Sequence, residues 1–173
     1  MNVSETELIT RVIVDDDHHA FTYLVRTHQS NIRQLLRRWV KYNYALADDL
    51  AQETFIQAYR KIKTFKGGQF SAWLYKIAYR IFLQDLRSRK ETVDITELPE
   101  LESRDESEMH AQKLTLEKAL EQLSTDQRCA ITLCFFEGLS QEEASEVMEV
   151  PLGTLKSHVN RGKAILKNLL GEE

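Results

Sequence analysis

Apolar side chains recur at intervals of three and four residues through most of the chain, the spacing of one buried face on an α-helix. Three such segments occupy 20–40, 47–62 and 70–89, and a fourth begins near residue 153. The strand-like alternation of apolar and polar residues between turn signals does not occur. Six glycines and two prolines in 173 residues leave few helix breaks, so the pattern predicts an all-α fold.

The segment 70–89 carries two apolar stripes. The first consists of Phe70, Trp73, Leu74, Ile77 and Ile81, and the second of Tyr75, Tyr79, Phe82 and Leu86. Basic residues surround the second stripe, namely Lys76, Arg80, Arg87, Arg89 and Lys90. Aromatic rings can stack on unpaired bases while neighbouring cations contact phosphates. Packing of the same rings against other helices is the alternative interpretation.

The C-terminal part has the punctuation of a helix-turn-helix. Capping boxes begin at Ser124 and at Ser140, and Gly138 suits a left-handed helix end between them. The turn "EVPLG" then separates a short helix from a longer one that starts at about Gly153. On that longer helix an apolar stripe adjoins a polar stripe that contains Lys156, Asn160, Lys163 and Lys167. The pattern predicts a helix that enters a DNA major groove; the alternative is a solvated helix whose cations favour its C-terminal dipole.

Charge divides the chain into three parts. The net charge is +6 for residues 1–90, −7 for 91–112 and −3 for 113–173. We therefore predict a helical domain at 1–90, an acidic flexible linker at 91–112 and a helix-turn-helix domain at 113–173.

Several functional classes find no support in the sequence. No apolar run approaches the roughly 20 residues that span a bilayer, and the first residues do not resemble a signal peptide, so we expect a cytoplasmic protein without membrane insertion. Cys129 and Cys134 are spaced badly for a disulfide and suit a reducing compartment. We expect no catalytic residues, no cofactor and no metal site. "DDDHH" at 15–19 with His28 suggests a metal-responsive protein as an alternative, because acids and histidines can coordinate a divalent ion. This alternative is weaker, because adjacent side chains at a helix start point apart and Asp is an ordinary capping residue there.

Two blocks resemble a known family. "ADDLAQETFIQAYRKIKTFKGGQFSAWLYKIAYRIFLQDLRSRK" is similar to the conserved block of bacterial extracytoplasmic-function (ECF, group IV) sigma factors, and "LSTDQRCAITLCFFEGLSQEEASEVMEVPLGTLKSHVNRGKAIL" resembles their C-terminal domain. The resemblance implies an alternative sigma factor that binds core RNA polymerase through the β′ and β subunits, recognises promoter DNA and is controlled by an anti-sigma factor. The resemblance further implies that the linker runs through the active-centre and RNA-exit channels of the polymerase. Its charge of −7 would mimic nucleic acid there, or the segment is a solvated tether.

The resemblance also implies site residues at matching positions. Those implied for core polymerase binding, against the coiled coil of β′, are Asp49, Gln52, Glu53, Phe55 and Arg60. Those implied for the −10 element are Lys66, Gly67, Gly68, Trp73, Tyr75, Lys76, Tyr79, Arg80 and Arg87. Those implied for the −35 element are Thr154, Lys156, Ser157, His158, Asn160, Arg161 and Lys163.

Four positions depart from the family pattern. Arg80 and Gln84 stand where many relatives have Asn and Asp, and His158 replaces a common Arg. Glu149 stands where Gly is common, and in a left-handed conformation its side chain would cost roughly 1–2 kcal/mol. The competing function is a stand-alone helix-turn-helix regulator that binds two half-sites as a dimer. That alternative does not explain the basic aromatic helix at 70–89.

Overall fold

The computed structural model of the protein describes residues 2–93 and 115–171, and all regular secondary structure in these two ranges is helical. The first unit contains α1 (Glu5–Asp15), α2 (His18–Trp39), α3 (Tyr44–Lys61), a 3₁₀ turn (Ile62–Thr64) and α4 (Phe70–Val93). The second contains α5 (Leu116–Glu121), α6 (Thr125–Ile131), a π-helical turn (Thr132–Phe136), α7 (Gln141–Met148) and α8 (Leu152–Leu170). The predicted all-α class, with a C-terminal helix-turn-helix, is confirmed.

The predicted linker at 91–112 overlaps the end of α4, because residues 91–93 are helical. The rest of that segment, 94–112, lies outside the described residues.

Local capping explains where most helices begin. The side chains of Ser4, Asp17 and Asn43 accept hydrogen bonds from backbone amides at the starts of α1, α2 and α3. Both predicted capping boxes are present, one at the start of α6 and one at the start of α7. Gly138 has the expected positive φ of 71°. These starts could be predicted because each depends on residues no more than three positions apart.

The acidic segment behind the weaker, metal-responsive alternative forms the junction between α1 and α2. Asp17 accepts a hydrogen bond from the amide of Ala20 at 3.0 Å and another from Arg11, and these contacts lower the pKa of its carboxyl. Asp16 ends α1 in a left-handed conformation and accepts a hydrogen bond from the Tyr59 hydroxyl. These two acidic residues thus join helices, and the described residues contain no cluster that could hold a metal ion.

The sequence "CAITLCFFEG" does not continue as one α-helix. After α6 the chain makes a π-helical turn, in which the amide of Glu137 donates to the carbonyl of Thr132 at 3.1 Å. Such a turn holds one more residue than an α-helical turn and rotates the side chains that follow it. Phe135 is exposed and Glu137 is directed toward the first unit.

Each unit has an apolar centre that contains the expected helix faces. In the first unit α3 packs against both α2 and α4, and in the second unit α8 packs against α6 and α7. Gly162 permits the close approach of α8 to α6, since a Cβ there would lie 2.8 Å from the Ile131 side chain. Cys129 is buried, Cys134 is half-buried, and both are free thiols whose pKa burial raises. Within the described ranges, none of the helices is both long and apolar enough to cross a bilayer.

The two units pack against each other. Helix α7 lies against α4, and α6 and the π-helical turn lie against α2. Arg128 of α6 is buried and donates to the carbonyl of Trp39, at the end of α2, from Nε at 3.3 Å and from Nη2 at 3.0 Å. A third bond from its Nη1 reaches the carbonyl of Leu123 at 2.9 Å. This guanidinium therefore joins the second unit to a helix C-terminus of the first, where a positive charge is favourable.

Candidate nucleic-acid and polymerase interface

Helix α8 presents a polar face to solvent. Its buried side consists of Leu155, Val159 and Gly162, which pack on the second unit. The exposed predicted residues are Thr154, Lys156, Asn160, Arg161 and Lys163, and the half-buried ones are Ser157 and His158. Amide, hydroxyl and cationic side chains on the exposed side of one helix, here called the polar row, can bond to base edges and phosphates. The structure therefore brings together most of the residues implied for the −35 element.

Lys163 differs from the rest of this row. Its Nζ lies 5.6 Å from the centre of the Phe135 ring, within the range of a cation–π contact. Phe135 belongs to the π-helical turn, so the contact directs Lys163 toward the body of the second unit.

The turn before α8 is strained at one residue. Glu149 ends α7 with φ 55° and ψ 42°, the left-handed conformation that a glycine adopts without cost. The amide of Val150 closes the turn by donating to the carbonyl of Ser145 at 3.1 Å. Glu149 therefore adopts the left-handed conformation for which a non-glycine residue costs roughly 1–2 kcal/mol.

The predicted −10 residues divide into an exposed loop and a covered helix. Lys66, Gly67 and Gly68 are exposed, and both glycines have positive φ, 95° and 85°. Trp73 is half-buried and stacks on Phe70, with ring centres 5.4 Å apart. The loop and the first turn of α4 border a cleft of about 260 Å³ whose other wall is α7 with Glu143 and Glu146.

Tyr75 and Tyr79, the proposed base-stacking residues, are buried, with 4% and 5% of their surface exposed. The Tyr79 ring meets the Trp39 ring edge-on at 5.7 Å, and the Tyr75 hydroxyl donates to Oε2 of Glu137 at 2.9 Å. Burial raises the pKa of both phenols. Of the two interpretations of this stripe, packing describes the arrangement seen here.

Glu137 is the acid of this contact, and 9% of its side chain is exposed. Burial raises the pKa of its carboxyl, while the hydrogen bond from Tyr75 and the charge of Arg38 act in the opposite direction. Nη1 of Arg38 lies 3.8 Å from its Oε1. The second unit thus places an acid over the aromatic face of α4.

A second acid of the same unit lies over the cations of α4. Oε1 of Glu149 accepts hydrogen bonds from Nε of Arg80 at 2.9 Å and from its Nη2. Nζ of Lys76 lies 3.7 Å from the same oxygen. Arg87 is exposed further along the helix. Two of the positions that depart from the family pattern, Arg80 and Glu149, are therefore partners across the boundary between the units.

Four of the five residues implied for polymerase binding share one side of α3. Asp49, Gln52 and Arg60 are exposed and Glu53 is half-buried, accepting a hydrogen bond from Gln57 at 2.9 Å. Phe55 faces elsewhere and packs against the core.

The exposed apolar Ile56, at 46%, lies among these four residues, and the sequence analysis missed it. Its spacing of three to four residues from Gln52, Glu53 and Arg60 was the available signal.

Comparisons with known proteins agree on the division into two units. The family model for Sigma-70 region 2 matches residues 24–92, and that for Sigma-70, region 4 matches residues 113–166. The ECF RNA polymerase sigma factor SigE of Mycolicibacterium smegmatis is 35% identical over 158 residues, which cover 86% of this chain and 61% of that longer protein. The ECF RNA polymerase sigma-E factor of Haemophilus influenzae is 32% identical over 183 residues, covering 96% of this chain and 95% of its own length.

A solved structure has the same arrangement of helices. The sigma factor RpoE from Bartonella quintana, crystallised in complex with the anti-sigma factor NepR, matches with a TM-score of 0.72 and 28% sequence identity. The match covers 88% of this chain and 98% of that one.

Proposed function

Because the chain belongs to the ECF sigma factors of RNA polymerase, we propose that it binds core polymerase and directs it to promoters with two recognised elements. The second unit would contact the −35 element and the first unit the −10 element. The observation that carries this proposal is that one chain presents two separate surfaces, a DNA-reading row on α8 and an acid–amide face on α3. A stand-alone regulator requires only the first of them.

Recognition of the −35 element is assigned to the exposed row of α8. Lys156, Asn160 and Arg161 lie on its solvent side, beyond the tight turn that follows α7. Asn can read adenine with two hydrogen bonds, and Arg can do the same for guanine. Lys156 suits a phosphate that fixes the helix in the groove.

Recognition of the −10 element is assigned to the loop at 66–68 and to α4. The two glycines keep the loop open, and a Cβ at either position would meet nothing within 4 Å, which leaves room for an unstacked base. Lys76, Arg80 and Arg87 would follow the phosphates of the strand. Stacking of a base on Tyr75 requires that the second unit first move away, because this ring is buried and its hydroxyl is bonded to Glu137 of that unit. Tyr79 is also buried, and its ring packs on Trp39 of the first unit.

Binding to core polymerase is assigned to the α3 face of Asp49, Gln52, Glu53 and Arg60, with Ile56 at its centre. Exposed carboxylates and amides around one apolar side chain suit a partner surface that is basic at its edge and apolar in the middle. We assign this contact to the β′ subunit and further contacts to the β subunit. An anti-sigma factor would be the inhibitor, as NepR accompanies RpoE in the B. quintana structure.

Charge reversal on α3 tests the proposal. The Asp49→Lys/Glu53→Lys variant should lose run-off transcription and co-purification with core polymerase, because close interfacial charge pairs are worth several kcal/mol when broken. Its helix content should not change. The matched control is Glu7→Lys/Asp15→Lys, which makes the same charge change at exposed positions of α1.

Two results would contradict the assignment. One is co-purification of the α3 variant with core at the wild-type level. The other is tight, specific binding of duplex promoter DNA by the pure protein without polymerase, which would favour the stand-alone regulator.

A further inference from the structure

The acid that contacts the cations of α4 occupies a strained position. A non-glycine residue is held in a left-handed conformation where the surroundings determine it, and such strain often marks a functional contact. Here the carboxylate of Glu149 reaches Arg80 and Lys76, both on the other unit and 69 and 73 positions away along the chain. The strained turn therefore aims a negative charge at the helix assigned to the −10 strand.

The geometry of this contact resembles that of a bound phosphate. One oxygen of Glu149 accepts from both Nε and Nη2 of Arg80 and lies near the Lys76 ammonium. Arg and Lys present the same donors to phosphate oxygens. Both cations remain partly exposed, with 53% of the Arg80 side chain and 40% of Lys76 accessible, so a strand in solution can compete for them.

We propose that Glu149 occupies the place of a DNA phosphate on Lys76 and Arg80 and thereby holds the chain in a closed arrangement. The inference rests on the proposed role of α4 in binding the −10 strand. In the closed arrangement α7 covers α4, and the rings of Tyr75 and Tyr79 are out of reach. A strand that binds Lys76 and Arg80 must displace Glu149. Binding of the strand therefore favours the arrangement in which the two units are separated.

The closed contact has a buried part and an exposed part with different roles. The bond from Arg128 to the Trp39 carbonyl is buried at the boundary, and the bond from Tyr75 to Glu137 is partly buried there. The Glu149 contact lies at its edge. An exposed ion pair shifts an equilibrium by up to about fivefold and is weakened by salt. Glu149 therefore sets how easily the units separate, whereas the buried contacts hold them in register.

The test uses the full chain and a measurement without DNA. Acetylation of Lys76 by acetic anhydride at low salt, measured by mass spectrometry relative to the exposed Lys66, reports whether its ammonium is covered. Glu149→Gln should raise this ratio by up to about fivefold. Glu142→Gln, which removes an equal charge at an exposed position on α7, should leave the ratio at the wild-type value.

The second measurement is the affinity for a short, fluorescent single-stranded DNA. Glu149→Gln should bind it up to about fivefold more tightly than wild type and than Glu142→Gln, because a larger fraction of the chain is open. A charge swap, Arg80→Glu with Glu149→Arg, should restore the low Lys76 acetylation that each single change removes.

The outcomes separate this inference from the proposed function. Equal Lys76 acetylation in Glu149→Gln and Glu142→Gln, or higher acetylation without tighter DNA binding, overturns the inference. If Arg80→Gln in the Glu149→Gln background binds the single strand no more weakly than Glu149→Gln alone, the assignment of α4 to the −10 strand fails. That failure would overturn the phosphate substitution as well, while leaving the contact itself visible in the acetylation ratio.

Discussion

The two helices assigned to DNA, α8 and α4, differ in accessibility. The polar row of α8 is exposed along Lys156, Asn160 and Arg161. The corresponding face of α4 lies under the second unit, with its tyrosines buried and its cations Lys76 and Arg80 paired to Glu149. The surface proposed for −35 DNA is therefore accessible, whereas the surface proposed for the −10 strand would become available only after the units separate.

This difference assigns different tasks to the two units before polymerase is present. If α8 enters the major groove as proposed, it needs no rearrangement, because its apolar side is already packed on its own unit. The second unit packs on α4, where Glu137 bonds to Tyr75, and this packing removes apolar surface of α4 from water. Core polymerase, by binding the α3 face, would select the separated arrangement.

The largest effect is expected where the closed arrangement is most buried. Arg128→Met removes the three bonds to the Trp39 and Leu123 carbonyls and leaves these acceptors unpaired. We expect the free energy of unfolding to fall by about 3 kcal/mol, because buried hydrogen bonds from a charged donor are lost and the carbonyls that accepted them are left without a donor. Chemical denaturation measures this, with Lys156→Met on exposed α8 as the control.

The same change should also make α4 as accessible as α8. If the units separate, Lys76 of Arg128→Met should become as reactive toward acetic anhydride as Lys66. An unchanged free energy of unfolding, or an unreactive Lys76 in a fully helical protein, would show that Arg128 does not hold the units together.

A change on α8 alone should leave the covered helix unaffected. His158→Arg should tighten promoter binding by the holoenzyme, since an always-charged guanidinium replaces a shorter side chain that is half-buried on α8. A base contact should give about 1–3 kcal/mol on particular −35 sequences. A phosphate contact should act on all promoters and steepen the salt dependence by about one counterion.

The measurement for His158→Arg is holoenzyme affinity across −35 variants at two salt concentrations. Lys76 acetylation in the free chain should remain at the wild-type level. Unchanged affinity on every promoter would mean that position 158 faces away from DNA and that the register assigned to α8 is wrong.

The smallest effect is expected from a substitution that distinguishes the backbone strain at Glu149 from the contact of its carboxylate with Arg80. Glu149→Gly relieves the left-handed conformation, and the second unit should gain about 1 kcal/mol in its free energy of unfolding. The same change removes the carboxylate from Arg80, so Lys76 should become more reactive. A higher free energy of unfolding together with a more reactive Lys76 would show that the strained conformation is what directs the carboxylate of Glu149 to Arg80. Destabilisation by Glu149→Gly relative to Glu149→Gln would refute the strain at this turn.

The local features were predictable and the contact between units was not. The two capping boxes, Gly138 and the apolar side of α8 could be predicted because each depends on residues a few positions apart. The second apolar stripe of α4 was also recognised from its helical spacing. The spacing does not show, however, whether a base or another helix covers Tyr75. The partners Arg80 and Glu149 are 69 positions apart, and each was seen only as a departure from a pattern.

Two further details could not be inferred from the sequence, for local physical reasons. The π-helical turn at Thr132–Phe136 has the same composition as a continued α-helix, so apolar spacing could not reveal the extra residue. Phe55 was grouped with Asp49 and Glu53 by resemblance, although six positions from Asp49 it falls on another side of α3 and packs on the core.

The most direct test of the account is a zero-length cross-link in the unmodified chain. Carbodiimide joins a carboxylate and an ammonium that are in contact as an amide, and Glu149 and Lys76 are 3.7 Å apart across the two units. The account predicts a Lys76–Glu149 cross-linked peptide in the free protein at low salt and its loss when core polymerase is added. Absence of this peptide from the free protein, or an equal yield in the complex with core, would contradict the claim that the second unit covers α4 until polymerase binds.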